Sequence, residues 1–89
     1  MIGNVEQPGT GGRAPEAVPV GQLREGQSGI VRRVEGGRRM AHRLAELGIR
    51  EGTTLRVLRG RGPMIVGLRD QRLIFGRAMV QRIWVDPEP

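Results

Sequence analysis

Few residues in this 89-residue chain are suited to chemistry. It has one histidine, His42, and one serine, Ser28, and it contains no cysteine, lysine or tyrosine. His42 and Glu46 stand four residues apart, a spacing that two metal ligands on one helix can share, but a single pair leaves most coordination positions unfilled. The simpler interpretation is a surface pair that stabilises the helix by about 0.2–0.5 kcal/mol. A weak metal contact between two copies of the chain is the alternative.

The remaining polar residues do not form a recognisable catalytic group. Enzymes need a nucleophile, an acid–base pair or a metal, and the carboxylates here are dispersed along the chain. There is no glycine-rich loop that ends in Lys-Ser or Lys-Thr, which excludes nucleotide binding by that route. We therefore predict no catalytic residue, no metal ligand and no cofactor, and a protein that acts by binding.

The positive side-chain charge of this sequence comes from arginine, since there is no lysine. Fifteen arginines against nine acidic residues give a net charge of +6. A basic surface favours nucleic acid, anionic lipid or an acidic protein, without choosing among them. Arginine is well suited to bidentate contacts with carboxylates and phosphates. A solvated surface is the simpler interpretation, and contact with an acidic partner is the functional one.

The segment Arg38–Gly52 organises the rest of the chain. Met40, Leu44 and Leu47 recur with helical spacing, which predicts one apolar face on a helix of about ten residues. Gly48 follows this face, at a position where a left-handed residue ends a helix at little steric cost. Because so short a helix needs a partner surface, we expect it to lie over a small sheet.

Short apolar segments separated by glycine predict about five strands, with the helix inserted after the second. The first predicted strand begins at Leu23. In the segment that follows the helix, Leu55 and Val57 are expected to face inward while Arg56 and Leu58 face outward. Four glycines are expected at turns or caps. They are Gly26, Gly29, Gly48 and Gly52.

The pattern predicts a mainly β fold, a small barrel or sandwich. Residues 1–19 are rich in glycine and proline, which is typical of a flexible tail. The domain is expected to span residues 20–86, followed by a frayed end at 87–89. The sequence has no apolar run long enough to span a membrane and no secretory signal pattern, so the cytoplasm is the expected compartment.

Three motifs follow one another in a fixed order. The first is L-x-x-G-x-x-G-x-V at Leu23–Val31, and the last is I-x-V at Ile83–Val85. Between them, R-L-x-E-L-G-I-x-x-G-T-x-L-x-V-L at Arg43–Leu58 combines a helix end, two spaced glycines and a strand. With these residues the chain resembles the FeoA family, small cytosolic partners of the FeoB ferrous iron transporter.

This resemblance implies an SH3-like β-barrel of about five short strands with one inserted α-helix. It also implies a non-enzymatic role in ferrous iron uptake, through contact with the cytoplasmic domain of an FeoB-like transporter. The protein would then be peripheral to the membrane through that partner. Homo-oligomerisation stays open.

The same fold unit resembles the C-terminal domain of iron-dependent transcriptional repressors. The alternative function is therefore a basic nucleic-acid-binding barrel, or a fragment-like relative of such a domain. We rank it lower because a chain of this length lacks a repressor's DNA-binding and metal-sensing domains. Small barrels that bind nucleic acid stack bases on aromatic side chains, and Phe75 and Trp84 are the two aromatic residues of the chain.

The predicted docking face is the helix surface together with its exit. Any apolar contact with the partner is expected from Leu58, Met64 or Trp84, where these are exposed. The partner-binding residues that we predict are Arg39, Arg43, Leu47, Arg50 and Glu51.

Overall fold

The computed structural model describes residues 16–88, and most of the predicted tail, residues 1–15, lies outside this range. In chain order the elements are β1 (Val18–Pro19), a 3₁₀ helix (Val20–Gln22), β2 (Ser28–Val34), α1 (Gly37–Glu46), β3 (Thr54–Arg59), β4 (Met64–Leu68), β5 (Gln71–Phe75), α2 (Arg77–Val80) and β6 (Ile83–Pro87). The six strands form one antiparallel sheet in the order β1-β6-β2-β3-β4-β5. Within residues 16–88, no helix is long and apolar enough to cross a membrane.

The core is built by the alternation of apolar and polar residues along the strands. In β3, Leu55 and Val57 are fully buried, whereas Arg56 and Leu58 are exposed, which confirms the predicted facing. Burial of each such aliphatic side chain contributes about 1.5–3 kcal/mol. The other strands supply the rest of this layer. Its members include Val31, Met64, Val66, Leu68, Phe75, Ile83 and Val85.

The first strand lies earlier in the chain than the sequence predicts. Around Leu23 the chain turns instead of extending, and Leu23 N–H donates to the carbonyl of Val20 at 3.1 Å. The strand is formed by Val18 and Pro19, within the segment predicted to be a tail, and Pro19 pairs with Trp84 of β6. A strand of two residues is too short to show an alternating pattern in the sequence, so β1 is recognised only by its pairing with β6.

Residues 87 and 88, which we predicted to be frayed, are paired with β2. Pro87 pairs with Gly29, and Glu88 N–H donates to the carbonyl of Ser28 at 2.8 Å. Residue 89 lies outside the described residues.

Gly29 does not lie in a turn, contrary to our prediction. Gly26 does, with φ of +86°, but Gly29 lies inside β2. An ideal Cβ on Gly29 would lie 2.8 Å from Cγ2 of Val85 and 3.2 Å from the carbonyl oxygen of Asp86. Glycine is therefore required at this position by the close approach of β2 and β6.

Gly29→Ala is expected to lower the free energy of unfolding by about 1–2 kcal/mol, because the added methyl group overpacks this contact. The check is chemical denaturation of Gly29→Ala alone and in a Val85→Ala background. Removing the two Val85 methyl groups relieves the closest contact, so the cost of the alanine should shrink there. An equal cost in both backgrounds would contradict the contact as its source.

The sequence favours Asp70–Gln71 as the hairpin connection between β4 and β5, but the turn lies one residue earlier. Leu68 pairs with Gln71, which leaves Arg69 and Asp70 as a two-residue turn. Arg69 has φ of +55°, the left-handed conformation that such turns require. Arginine rarely adopts this conformation, which is why the sequence pattern did not mark the turn.

Candidate docking surface

Helix α1 is anchored to the sheet by one side of its surface. Leu44 is 1% exposed, and Met40, one turn earlier, packs partly buried against the same core. Arg39 and Arg43 are exposed, and Leu47 continues their four-residue spacing just beyond the end of the helix. The three residues follow one another along a side of α1 that lies beside the buried line.

Leu47 does not join the buried face, which corrects our prediction. It is 44% exposed, while Leu44 and Ile49 are each 1% exposed. The reason is that α1 ends at Glu46, and the chain reverses direction at Gly48. Ile49 then occupies the core position that helical spacing assigns to Leu47.

The reversal at Gly48 is a Schellman motif. Gly48 N–H donates to the carbonyl of Ala45 and Ile49 N–H donates to that of Leu44, both at 2.9 Å. These bonds satisfy two carbonyls that the end of a helix leaves free. Gly48 has φ of +95°, and an ideal Cβ there would lie 3.2 Å from Cδ2 of Leu68. The geometry fixes the direction in which Leu47 projects.

The chain beyond this motif is fastened to β2. Gly52, with φ of +91°, donates its N–H to the carbonyl of Val31 at 2.7 Å, and Val31 N–H donates to the carbonyl of Thr53 at 2.8 Å. The Thr53 hydroxyl accepts from Arg50 N–H at 3.1 Å. Arg50 and Glu51 therefore project from a turn whose backbone is held in place.

A cleft of about 320 Å³ lies between the exit of α1 and the β4–β5 turn. Leu47 and Arg50 line one wall of it. The other wall includes Leu68, Arg69, Asp70 and Gln71.

We define the α1 exit face by the five predicted docking residues, Arg39, Arg43, Leu47, Arg50 and Glu51. The structure brings Leu47 and Arg50 together at the cleft, whereas the other three are exposed outside it. A half-exposed leucine with cationic neighbours can combine an apolar contact with attraction to an acidic surface.

The first turn of α1 carries charges that do not favour the helix. Arg38 and Arg39 lie there, with no acidic residue in that turn and no side-chain cap from Gly36. A cation near a helix N-terminus opposes the helix dipole by about 0.3–1 kcal/mol. These arginines therefore do not stabilise the helix through its dipole.

The His42–Glu46 pair has the geometry of a surface interaction. His42 Nε2 lies 3.4 Å from Glu46 Oε2, and both side chains are more than two-thirds exposed. Among residues 16–88, no group of three or more histidine, aspartate and glutamate side chains is placed to hold a metal ion.

The exposed apolar residues differ from those proposed from the sequence. Leu58 is 41% exposed, but Met64 is buried. Trp84 is half-buried, and the guanidinium of Arg33 lies 4.4 Å from its ring centroid. Ile74, which is 70% exposed, is not among the residues proposed from the sequence. Strict alternation in β5 could have predicted this exposure, because the residues on either side of Ile74 face inward.

Comparison with known proteins agrees with the resemblance seen in the motifs. The sequence model of the FeoA domain matches residues 18–87. A protein of Methanocaldococcus jannaschii, provisionally named Fe(2+) transport protein A, is 30% identical over 69 residues, or 76% of this chain and 84% of that protein. The chain belongs to the FeoA family.

Solved structures extend this likeness to the fold. The crystal structure of an iron uptake regulatory protein, FeoA, superposes with a TM-score of 0.75 and 29% identity, over 81% of this chain and 97% of that one. A zinc-complexed FeoA from Stenotrophomonas maltophilia, described as an SH3 domain protein, has a TM-score of 0.68 at 24% identity, over 78% of this chain and 93% of that one. The predicted fold class, a mainly β, SH3-like barrel with one inserted helix, is confirmed.

A manganese-dependent transcriptional repressor shares the same unit, with a TM-score of 0.73 and 29% identity. The match covers 84% of this chain but only 44% of the repressor. Family membership places this chain among accessory proteins of ferrous iron transport.

Proposed function

We propose that this FeoA-family chain is a non-enzymatic accessory protein that docks on the cytoplasmic part of an FeoB-like ferrous iron transporter and modulates it. It acts in the cytoplasm and reaches the membrane through that partner. The observation that carries the docking proposal is Leu47, held half-exposed between arginines by the Schellman motif at Gly48.

The rigidity of the α1 exit face supports this role. Association loses free energy when loops and side chains must be ordered, and here the backbone on both sides of Arg50 is already hydrogen-bonded. The arginines add long-range attraction to an acidic surface, which raises the association rate more than the final affinity. The face therefore suits specific docking on an acidic protein domain.

Nucleic-acid binding is the second candidate, because the chain is basic and shares its unit with a transcriptional repressor. The aromatic residues argue against it. Phe75 is 5% exposed, and the guanidinium of Arg33 covers the ring of Trp84. Neither ring offers the free face on which bases stack in small nucleic-acid-binding barrels.

The test is a binding titration of the full chain against the purified cytosolic domain of the cognate ferrous iron transporter, at low and physiological salt. A DNA duplex is titrated in parallel. We expect saturable binding to the transporter domain that persists at physiological salt, and DNA binding that falls steeply as counterions compete. Binding to DNA alone, or to neither, would contradict the proposal.

A further inference from the structure

The outer edge of the sheet is a second surface with binding features. β5 ends the strand order, and β4 is its one partner among the described strands. Ile74, in β5, is 70% exposed, the highest value among the large hydrophobic residues described. An unpaired strand that carries an exposed apolar residue is a template for another extended chain.

The register shows which backbone groups of β5 face this edge. Leu68 and Gln71 close a two-residue turn, and the pair that closes such a turn exchanges hydrogen bonds. Hydrogen-bonded and non-hydrogen-bonded pairs alternate along an antiparallel ladder. The pairs that contain Arg72 and Ile74 are therefore non-hydrogen-bonded. Their N–H and C=O groups point away from β4, towards the open edge.

The outer face beside this edge is apolar. Ile74 stands opposite Ile65, which is half-buried. Leu58, 41% exposed, covers Gly67, where an ideal Cβ would lie 3.3 Å from Leu58 Cδ1. An added strand would find side-chain contacts on this face as well as backbone partners.

The charges around the edge select the partner. Residues 56–77 contain six arginines, all exposed, and one acidic residue, Asp70. The arginines are Arg56, Arg59, Arg61, Arg69, Arg72 and Arg77. A second copy of the chain on this edge would bring two such sets of like charges together, which is destabilising. An acidic chain is complementary to them.

We propose that β5 receives an extended acidic segment of a partner protein as an additional strand. Main-chain hydrogen bonds at Arg72 and Ile74 supply affinity, and the arginines select for acidic side chains. This surface adjoins the α1 exit face at the cleft, where Arg69 and Gln71 lie across from Leu47 and Arg50. The pairing groups of Arg72 and Ile74 lie outside that cleft, so the inference goes beyond the proposed docking on the transporter and does not depend on it.

The test uses the full chain labelled with ¹⁵N and a seven-residue peptide that alternates glutamate and threonine around a central valine. We expect saturable amide shifts in β5 in two-dimensional NMR, with the Arg72 and Ile74 amides moving downfield as they gain hydrogen bonds. The same peptide with every backbone nitrogen methylated keeps its charge but has no N–H group to donate to the carbonyls of Arg72 and Ile74, and its methyl groups obstruct close pairing with β5. It should bind at least about tenfold more weakly, since main-chain hydrogen bonds supply the affinity of an added strand.

Two variants examine the side chains. Arg72→Glu and Ile74→Thr should each weaken binding of the unmodified peptide, while thermal unfolding shows that the fold is kept. Arg38→Glu, on the first turn of α1, makes the same charge change away from β5 and should leave peptide binding nearly unchanged.

Three results would overturn the proposal. The first is the absence of binding, and the second is equal binding of the methylated peptide, which would show charge attraction without pairing. The third is concentration-dependent self-association through β5 in the absence of peptide, which would make a second copy the occupant.

Discussion

Replacing Gly48 by valine is expected to lower the free energy of unfolding by about 2–4 kcal/mol, through backbone strain and a close contact. Gly48 has φ of +95°, a conformation that disfavours any residue with a Cβ and most of all a β-branched one. The Cβ would also lie 3.2 Å from Cδ2 of Leu68. If the chain relaxes to avoid the backbone strain and the contact with Leu68, the hydrogen bonds of the Schellman motif at the end of α1 are lost.

For a domain of this size, that change lowers the melting temperature by roughly 10–25 °C. Thermal unfolding followed by circular dichroism measures it. Gly52→Val introduces strain without the contact, because Gly52 has φ of +91° and open space around its Cβ. Gly76→Val introduces neither, since φ is −74° and nothing lies within 4 Å. A Gly48→Val protein as stable as Gly76→Val would contradict the role assigned to the cap.

Arg43→Glu is expected to weaken binding to the transporter's cytosolic domain roughly tenfold to a hundredfold, or ~1.4–2.7 kcal/mol. Arg43 is exposed on α1 and forms no ion pair within residues 16–88. The substitution therefore replaces an attraction to an acidic surface with a repulsion. It also places an acid near the C-terminus of α1, which costs less than about 1 kcal/mol of stability.

The measurement is the titration described above, with melting curves to show that the variant folds. Arg61→Glu is the matched control, because it makes the same charge change in the loop at the far end of β3 from the α1 exit face. Arg61→Glu should retain most of the affinity at physiological salt. Equal losses for the two variants would show that net charge, and not the α1 exit face, determines binding.

The fold was predictable where local pattern and tertiary structure agree. Gly48 followed by an apolar residue predicted the end of α1, and the alternation of Leu55 and Val57 predicted the facing of β3. The role of Gly29 was not predictable, because the side chain that it accommodates, Val85, lies in β6, far away in the sequence. Strand β1 was missed for the same reason, since its two residues become a strand only through β6.

The candidate site was predictable in composition but not in shape. Sequence spacing places Arg39 and Arg43 on one side of α1, but it assigned Leu47 to the apolar face with Leu44, whereas Leu47 is exposed. That follows from the Schellman reversal, which gives the core position to Ile49 instead. The opposite wall of the cleft depends on the left-handed Arg69, for which the sequence offers no signal.

The central claim is that the α1 exit face is where the transporter docks. The most direct measurement adds unlabelled cytosolic domain of the transporter to the ¹⁵N-labelled chain and follows the amide signals. We predict that the largest changes map to residues 39–51. Changes confined to other surfaces, with residues 39–51 unaffected, would contradict the claim.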